Sequence, residues 1–170
     1  MIILGAILAG GASSRFGSDK ALARHNGQPL IEHVIAALAT QSDKLVICGR
    51  TWSGQTEITD LPVPGLGPLG GLCAALAYAA THGFDAVLCA PCDTLGLPTD
   101  LAHRLAPGPA VAAGQRIIGL WPTTLARVLC AHLDAGGDRS LRAWMAITGA
   151  REIDCGIFTN INYPGDFTPS

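Results

Sequence analysis

The sequence predicts one α/β domain over residues 1–170, with a mainly parallel sheet flanked by helices. Three observations predict it. A continuous apolar run, residues 2–9, stops at Gly10-Gly11, as a buried strand does. Further strand-like runs alternate with segments of helical period. The residues with chemical potential follow strands: 10–20 after the first, Asp60 after the third, Asp93 after the fourth. In open α/β sheets ligands bind outside the carboxyl ends of the strands, at a switch in strand order.

The elements follow in order. Leu30, Val34, Ile35 and Leu38 stand at helical spacing in residues 29–39, with Pro29 near the first turn. Residues 44–48 read as the second strand, 51–56 as a polar loop, and 57–59 as a short strand ending at Asp60. The loop in "PVPGLGPLGG" leads to an Ala-rich helix over 69–80. Residues 85–90 form a strand ending at "PCD", and 99–105 a short helix with Asp100 near its start. Residues 110–113 and 116–121 read as strands turning at Gly114. Helices are expected over 122–133 and 139–147, and a last strand over 151–155. The tail, "IFTNINYPGDFTPS", reads as irregular.

Composition narrows the function. With 170 residues, 49% apolar and 14% charged, the chain has enough material for a real core. A net charge of −2 argues against a general nucleic-acid binder, which needs a basic excess. Lys20 and Lys44 are the only lysines, so any basic site is local. No segment is long and apolar enough to span a membrane. No charged side chain precedes the short apolar run at residues 2–9, so the expectation is a cytoplasmic protein and not a secreted one. Cys48, Cys73, Cys89 and Cys130 lie in apolar runs and are expected to be structural thiols. Cys89 and Cys92 form a CxxC, but Cys89 sits in a strand-like run and no second ligand pair has zinc spacing.

The opening loop, "LAGGASSRFGSDKAL", offers backbone N–H groups with little side-chain bulk. Gly-Gly permits positive φ and close approach of a phosphate. Arg15 adds a planar fork and Lys20 a movable point charge. The bland alternative is a tight turn with two solvated cations. The Walker pattern fails because no GK[ST] is present, and the dinucleotide fingerprint fails on spacing. A nicotinamide-dehydrogenase reading needs an acid at the end of strand two; Glu32 lies at that distance but inside a helix.

This loop resembles the signature of the molybdenum cofactor guanylyltransferases, nucleotidyltransferases with a Rossmann-like fold. "GQPLIEHV", "GPLGGLCAAL", "PCDTLGLP" and "NINYPGDF" resemble further family landmarks in the same order, so the resemblance spans nearly the whole chain. It implies transfer of GMP from GTP to a terminal phosphate of molybdopterin, with pyrophosphate leaving and a guanine dinucleotide cofactor formed. It implies nucleotide binding by Leu8, Ala9, Gly10, Gly11, Lys20, Asp60 and Asp93, and catalytic roles for Lys20, Arg15 and Asp93. Asp93 would ligate Mg²⁺; read alone, it could cap a helix. Asp60 read alone is a strand-end turn residue. The family places the counterparts of Asn160 and Asn162 at the active site; alone, they could cap a turn before Pro164. Cofactor-inserting chaperones are implied partners, with no nucleic acid and no membrane.

The chain also departs from the family. Cys48-Gly49-Arg50 stands where the family often has an Asn, "NINYPGDF" lacks a Thr and a Glu, and "QRIIGLWP" replaces a His-Pro. Arg139, Arg142 and Trp144 are candidates on the cofactor side, with Trp144 also read as core; of five histidines, His25 is the best placed for a ligand. Two other readings share the motifs: cytidylyl or sugar-phosphate nucleotidyl transfer, and a nucleotide-binding module without catalysis.

Overall fold

A computed structural model of the chain describes residues 1–10 and 20–161, Lys20 and Asn160 by their backbone alone. Strand β1 (Ile3–Leu8) is buried along its whole length. It pairs in parallel with β4 (Lys44–Cys48) on one side and β6 (Ala86–Pro91) on the other. β4 pairs in parallel with the short edge strand β5 (Thr56–Ile58). On the far side, β6 pairs antiparallel with β9 (Gln115–Pro122), which pairs antiparallel with β8 (Ala110–Ala112). β10 (Arg151–Ile153) adds in parallel to β8. The sheet order is β10-β8-β9-β6-β1-β4-β5, mainly parallel as expected.

Burial on both faces explains why β1 is a continuous apolar run and not an alternating one. Ile3 and Ile7 face α1 (Leu30–Ala39) and α3 (Leu101–Leu105), while Leu4, Ala6 and Leu8 face α2 (Pro68–Thr81), α4 (Ala126–Asp134) and α5 (Leu141–Thr148). β6 splits the same way, with Leu88 on one face and Val87 and Cys89 on the other. Helix ends follow local chemistry. Pro29 precedes the first residue of α1 and Pro68 opens α2. Ser140 Oγ accepts from the Ala143 N–H at 3.1 Å, and Gly149 closes α5 with a φ of 66°.

Several expectations need correction. Pro122 ends β9 opposite Ala86, and a 3-10 turn (Thr123–Leu125) separates it from α4. The Thr123 N–H donates to the Asp85 carbonyl at 3.0 Å, which holds the chain to the sheet before a helix can start. Asn26 and Gly27, at φ of 49° and 77°, turn an unanticipated hairpin between β2 (Arg24–His25) and β3 (Gln28–Pro29). The tail is not wholly irregular: β11 (Thr159–Asn160) pairs antiparallel with β7 (Thr94–Leu95). Two-residue pairings leave no periodic signal in a sequence. Cys73 and Cys130 are not free thiols but a disulfide, because α2 packs on α4 and brings their Cα atoms to 5.9 Å. Cys48, Cys89 and Cys155 are buried thiols and Cys92 is partly buried. No helix among the described residues is long and apolar enough to cross a membrane.

Candidate active site

From β1 the chain runs outward to β4 and β5, then returns through α2 to β6 on β1's other flank. The carboxyl ends of β1, β4 and β5 therefore open beside the N-terminus of α2. A cleft of about 570 Å³ lies there, lined by Gly10, Gly49, Glu57, Thr59, Asp60, Pro64, Gly65 and Gly67. A much smaller pocket beside it shares Gly10, Asp60 and Gly67 and adds Leu8, Cys48, Pro68 and Gly71.

Glycines make this floor. The Ala9 N–H donates to the Cys48 carbonyl at 3.0 Å, and the Gly49 N–H to the Ile58 carbonyl at 3.0 Å. These bonds draw the ends of three strands together. A Cβ on Gly49, whose φ is +81°, would stand 2.6 Å from the Gly10 Cα. A Cβ on Gly71 would meet Leu8 at 3.0 Å and Cys48 at 3.2 Å. Gly70 and Gly71 stand beside the Asp60 side chain in the first turn of α2.

Asp60 is the charged centre of the floor. The Leu61 N–H donates to the Gly70 carbonyl at 3.1 Å, which sets Asp60 against α2. Its Oδ1 is buried and has no hydrogen-bond partner among the described residues. Desolvation raises the Asp60 pKa above the ordinary 3.8. A buried acceptor without a donor is costly, and such groups concentrate at functional sites. Burial, and then the Asp60 charge, push the neighbouring Cys48 thiol far up. Burial pushes the Cys89 thiol up to about 11. Both stay protonated at neutral pH and offer no nucleophile.

The loop between β4 and β5 is tied down at two points. The Trp52 indole Nε1–H donates to Glu32 Oε1 of α1 at 2.6 Å. Thr51 Oγ1 donates to Glu57 Oε2 at 2.5 Å. Glu32 is thus a brace for the loop in this fold.

Asp93 lies on the other flank of β1. The Cys92 N–H donates to the Leu8 carbonyl at 3.3 Å, which places the turn after β6 next to the end of β1. The Ile161 N–H donates to the Asp93 carbonyl at 2.9 Å, and Asn160 is in register with Thr94. The backbones of Asp93 and Asn160 therefore meet, although 67 residues apart in numbering. No group of three or more His, Cys, Asp or Glu among the described residues could hold a metal. A lone carboxylate still fits Mg²⁺, which keeps several waters and takes one or two carboxylates plus substrate phosphates.

The structure brings Gly10 and Asp60 into the cleft and Leu8 into the small pocket beside it, with Ala9 between Leu8 and Gly10 on the backbone. Asp93 and Asn160 sit one strand away. Gly11, Arg15, Asn162 and the Lys20 side chain lie outside the described residues; the Lys20 backbone opens a 3-10 turn (Lys20–Leu22). On the supposed cofactor side, Trp144 is fully buried core, and Arg139 and Arg142 are exposed without lining the cleft. His25 sits in the β2 hairpin with its ring edge-on to His33 at 5.6 Å. Sequence reasoning missed Glu57 and Thr59 as lining residues and saw Gly49 only as a missing Asn. A glycine straight after a buried strand was the available signal.

Comparisons with known proteins match the chain along nearly its whole length. A family model described as the MobA-like NTP transferase domain matches residues 5–153. The chain is 34% identical to a molybdenum cofactor guanylyltransferase of Acidiphilium cryptum strain JF-5, over 94% of this chain and 89% of that protein. It is 38% identical to a protein of the same name from Cereibacter sphaeroides, over 98% and 94%. A molybdopterin-guanine dinucleotide biosynthesis protein A from Archaeoglobus fulgidus shares the fold, with a TM-score of 0.73 at 19% identity, covering 96% of this chain and 94% of that one.

Proposed function

The chain belongs to the family of MobA-like NTP transferase domains, and from that premise we propose that it transfers GMP from GTP to the molybdopterin form of the molybdenum cofactor. Pyrophosphate leaves and the guanine dinucleotide cofactor is the product. The observation that carries the base assignment is the Asp60 carboxylate, set into the floor of the cleft beside Gly10, Gly49 and Gly70. An ionised carboxylate only accepts hydrogen bonds, through two oxygens. Guanine presents two neighbouring donors on one edge, its ring N1–H and its 2-amino group, which match that acceptor pair. Cytosine and adenine set an acceptor beside their amino group and would leave one oxygen unpaired.

The rest of the site follows from charge. Negative Asp60 orients the nucleoside inward and sends the triphosphate towards the loop after β1. There Arg15 and Lys20 offset its charge, and the glycine backbone N–H groups hold its oxygens. Asp93 would hold Mg²⁺, which when bound neutralises charge on the phosphates. An oxygen of the molybdopterin phosphate attacks the α-phosphorus of GTP. The bond from that phosphorus to the bridging oxygen of pyrophosphate breaks. Positioning and charge neutralisation supply the catalysis, so no nucleophilic side chain is required. Asn160 and Asn162 order phosphate or metal from the tail. Residues 1–170 act as one domain, in the cytoplasm and on small molecules, with cofactor-inserting chaperones as partners.

Calorimetry with GTP, CTP, ATP and UTP, with and without Mg²⁺, tests it on the wild type and Lys20→Ala. GTP preference supported by Mg²⁺ and lost in Lys20→Ala is the expected result, followed by pyrophosphate release on adding molybdopterin. CTP preference would move the protein to cytidylyl transfer. GTP binding without pyrophosphate release would make it a nucleotide-binding module.

A further inference from the structure

We propose that Glu57 is a specificity-determining residue whose carboxylate accepts hydrogen bonds from the ribose hydroxyls of the nucleotide. The inference rests on the reading of the cleft as a guanine nucleotide site and extends it to a residue outside the family motifs quoted above. Glu57 lines the same cleft as Asp60 but is exposed, whereas Asp60 is partly buried with a buried Oδ1. A nucleoside seated with its base against the deeper carboxylate carries its sugar nearer the mouth, where Glu57 stands. Two carboxylates in one cleft also repel the triphosphate, so what faces Glu57 is a hydrogen-bond donor of the nucleoside. At the rim that donor is a hydroxyl.

Glu57 is held for this task. Thr51 Oγ1 donates to its Oε2 at 2.5 Å and so fixes the carboxylate's orientation. Thr51 in turn sits next to Trp52, whose indole is bonded to Glu32 of α1. The loop that carries Gly49 into the floor is thus the loop that aims Glu57. Thr51 is a positioning residue and Glu57 the group in contact with the sugar.

The experiment compares the Kd of GTP with that of 2′,3′-dideoxyGTP, which lacks both hydroxyls. The wild type is expected to favour GTP by roughly tenfold or more, the worth of a hydrogen bond to a charged acceptor. Glu57→Ala brings the ratio near one, Glu57→Gln leaves it intermediate, and Thr51→Val lowers it without changing the melting temperature by more than a degree or two. Because the ratio is read within each variant, a general loss of affinity does not mimic the effect. A wild-type ratio retained in Glu57→Ala overturns the inference and leaves the guanine nucleotide site standing. A wild type that binds neither nucleotide overturns both.

Discussion

Gly49 and Gly10 touch through their backbones: a β-carbon on Gly49 would stand 2.6 Å from the Cα of Gly10 and 2.9 Å from its nitrogen. The contact closes the cleft floor between the ends of β1 and β4. Gly49 also has a φ of +81°, a conformation that costs an L-residue roughly 1–2 kcal/mol. Overpacking adds roughly 1–3 kcal/mol. Gly49→Ala should therefore lose about 2–4 kcal/mol in urea unfolding, and its GTP binding should fall below detection at millimolar nucleotide. Gly114→Ala, also at positive φ but with open space around it, should lose only the backbone part.

Asp60 should show opposite effects on stability and binding. Its pKa is raised in the fold by desolvation. A raised acid favours the folded state while protonated, below the ordinary value of 3.8. That advantage is lost as pH rises through the native value. Asp60→Asn removes the charge at neutral pH and should melt at or above the wild-type temperature at pH 7, with the gap closing as pH falls to 4. The same variant should bind GTP at least tenfold more weakly at pH 7, because an amide offers one acceptor where a carboxylate offers two. Melting curves and calorimetry across pH 4–7 check both halves. A variant less stable than wild type at pH 7 would contradict the desolvation argument.

Trp52 should report on the cleft. Trp121 and Trp144 are fully buried in the core on the α2 face, while Trp52 is partly buried on the α1 face and bonded to Glu32. Indole fluorescence should change on adding GTP in the wild type and in Trp121→Phe, but not in Trp52→Phe. Glu32→Ala removes the brace. It should weaken GTP binding several-fold and cost about 1 kcal/mol of stability, the net worth of one hydrogen bond.

The Cys73–Cys130 disulfide joins α2 to α4 across 57 residues of sequence. Closing a loop of that length restricts the unfolded chain by about 4 kcal/mol in the chain-entropy model. Reduction, or the Cys73→Ser/Cys130→Ser pair, should lower the melting temperature by roughly ten degrees for a domain of this size. Thiol titration of the unfolded chain without reductant should find the four remaining cysteines, Cys48, Cys89, Cys92 and Cys155. Six titrating thiols and an unchanged melting temperature would show that the pair is held reduced.

Much of the fold was legible because its signals are short-range. The apolar run of β1 reflects burial on both faces, and the period of α1 reflects one buried face. Proline starts and glycine stops act over one turn. The places where residues of interest follow strands were legible too, since strands and their exits are read from neighbouring residues. So were the motifs that place the chain in its family.

Other features depended on contacts between distant parts of the chain. Nothing near Glu57 says that it lines a cleft, because the cleft exists only when β5 is paired to β4 and α2 is folded back beside it. The burial of Asp60 Oδ1 depends on the first turn of α2 lying over it. Cys73 finds Cys130, and the Asp93 backbone finds Ile161, through packing between elements separated by dozens of residues. The sequence by itself determined the longer strands and helices and the family. Only the tertiary structure decided which backbone meets which, and so the cleft's floor, its deep carboxylate and its rim. The physical reason is range: propensity, capping and periodicity act over a few residues, whereas a cleft is made by strand register and helix packing, which no single segment encodes.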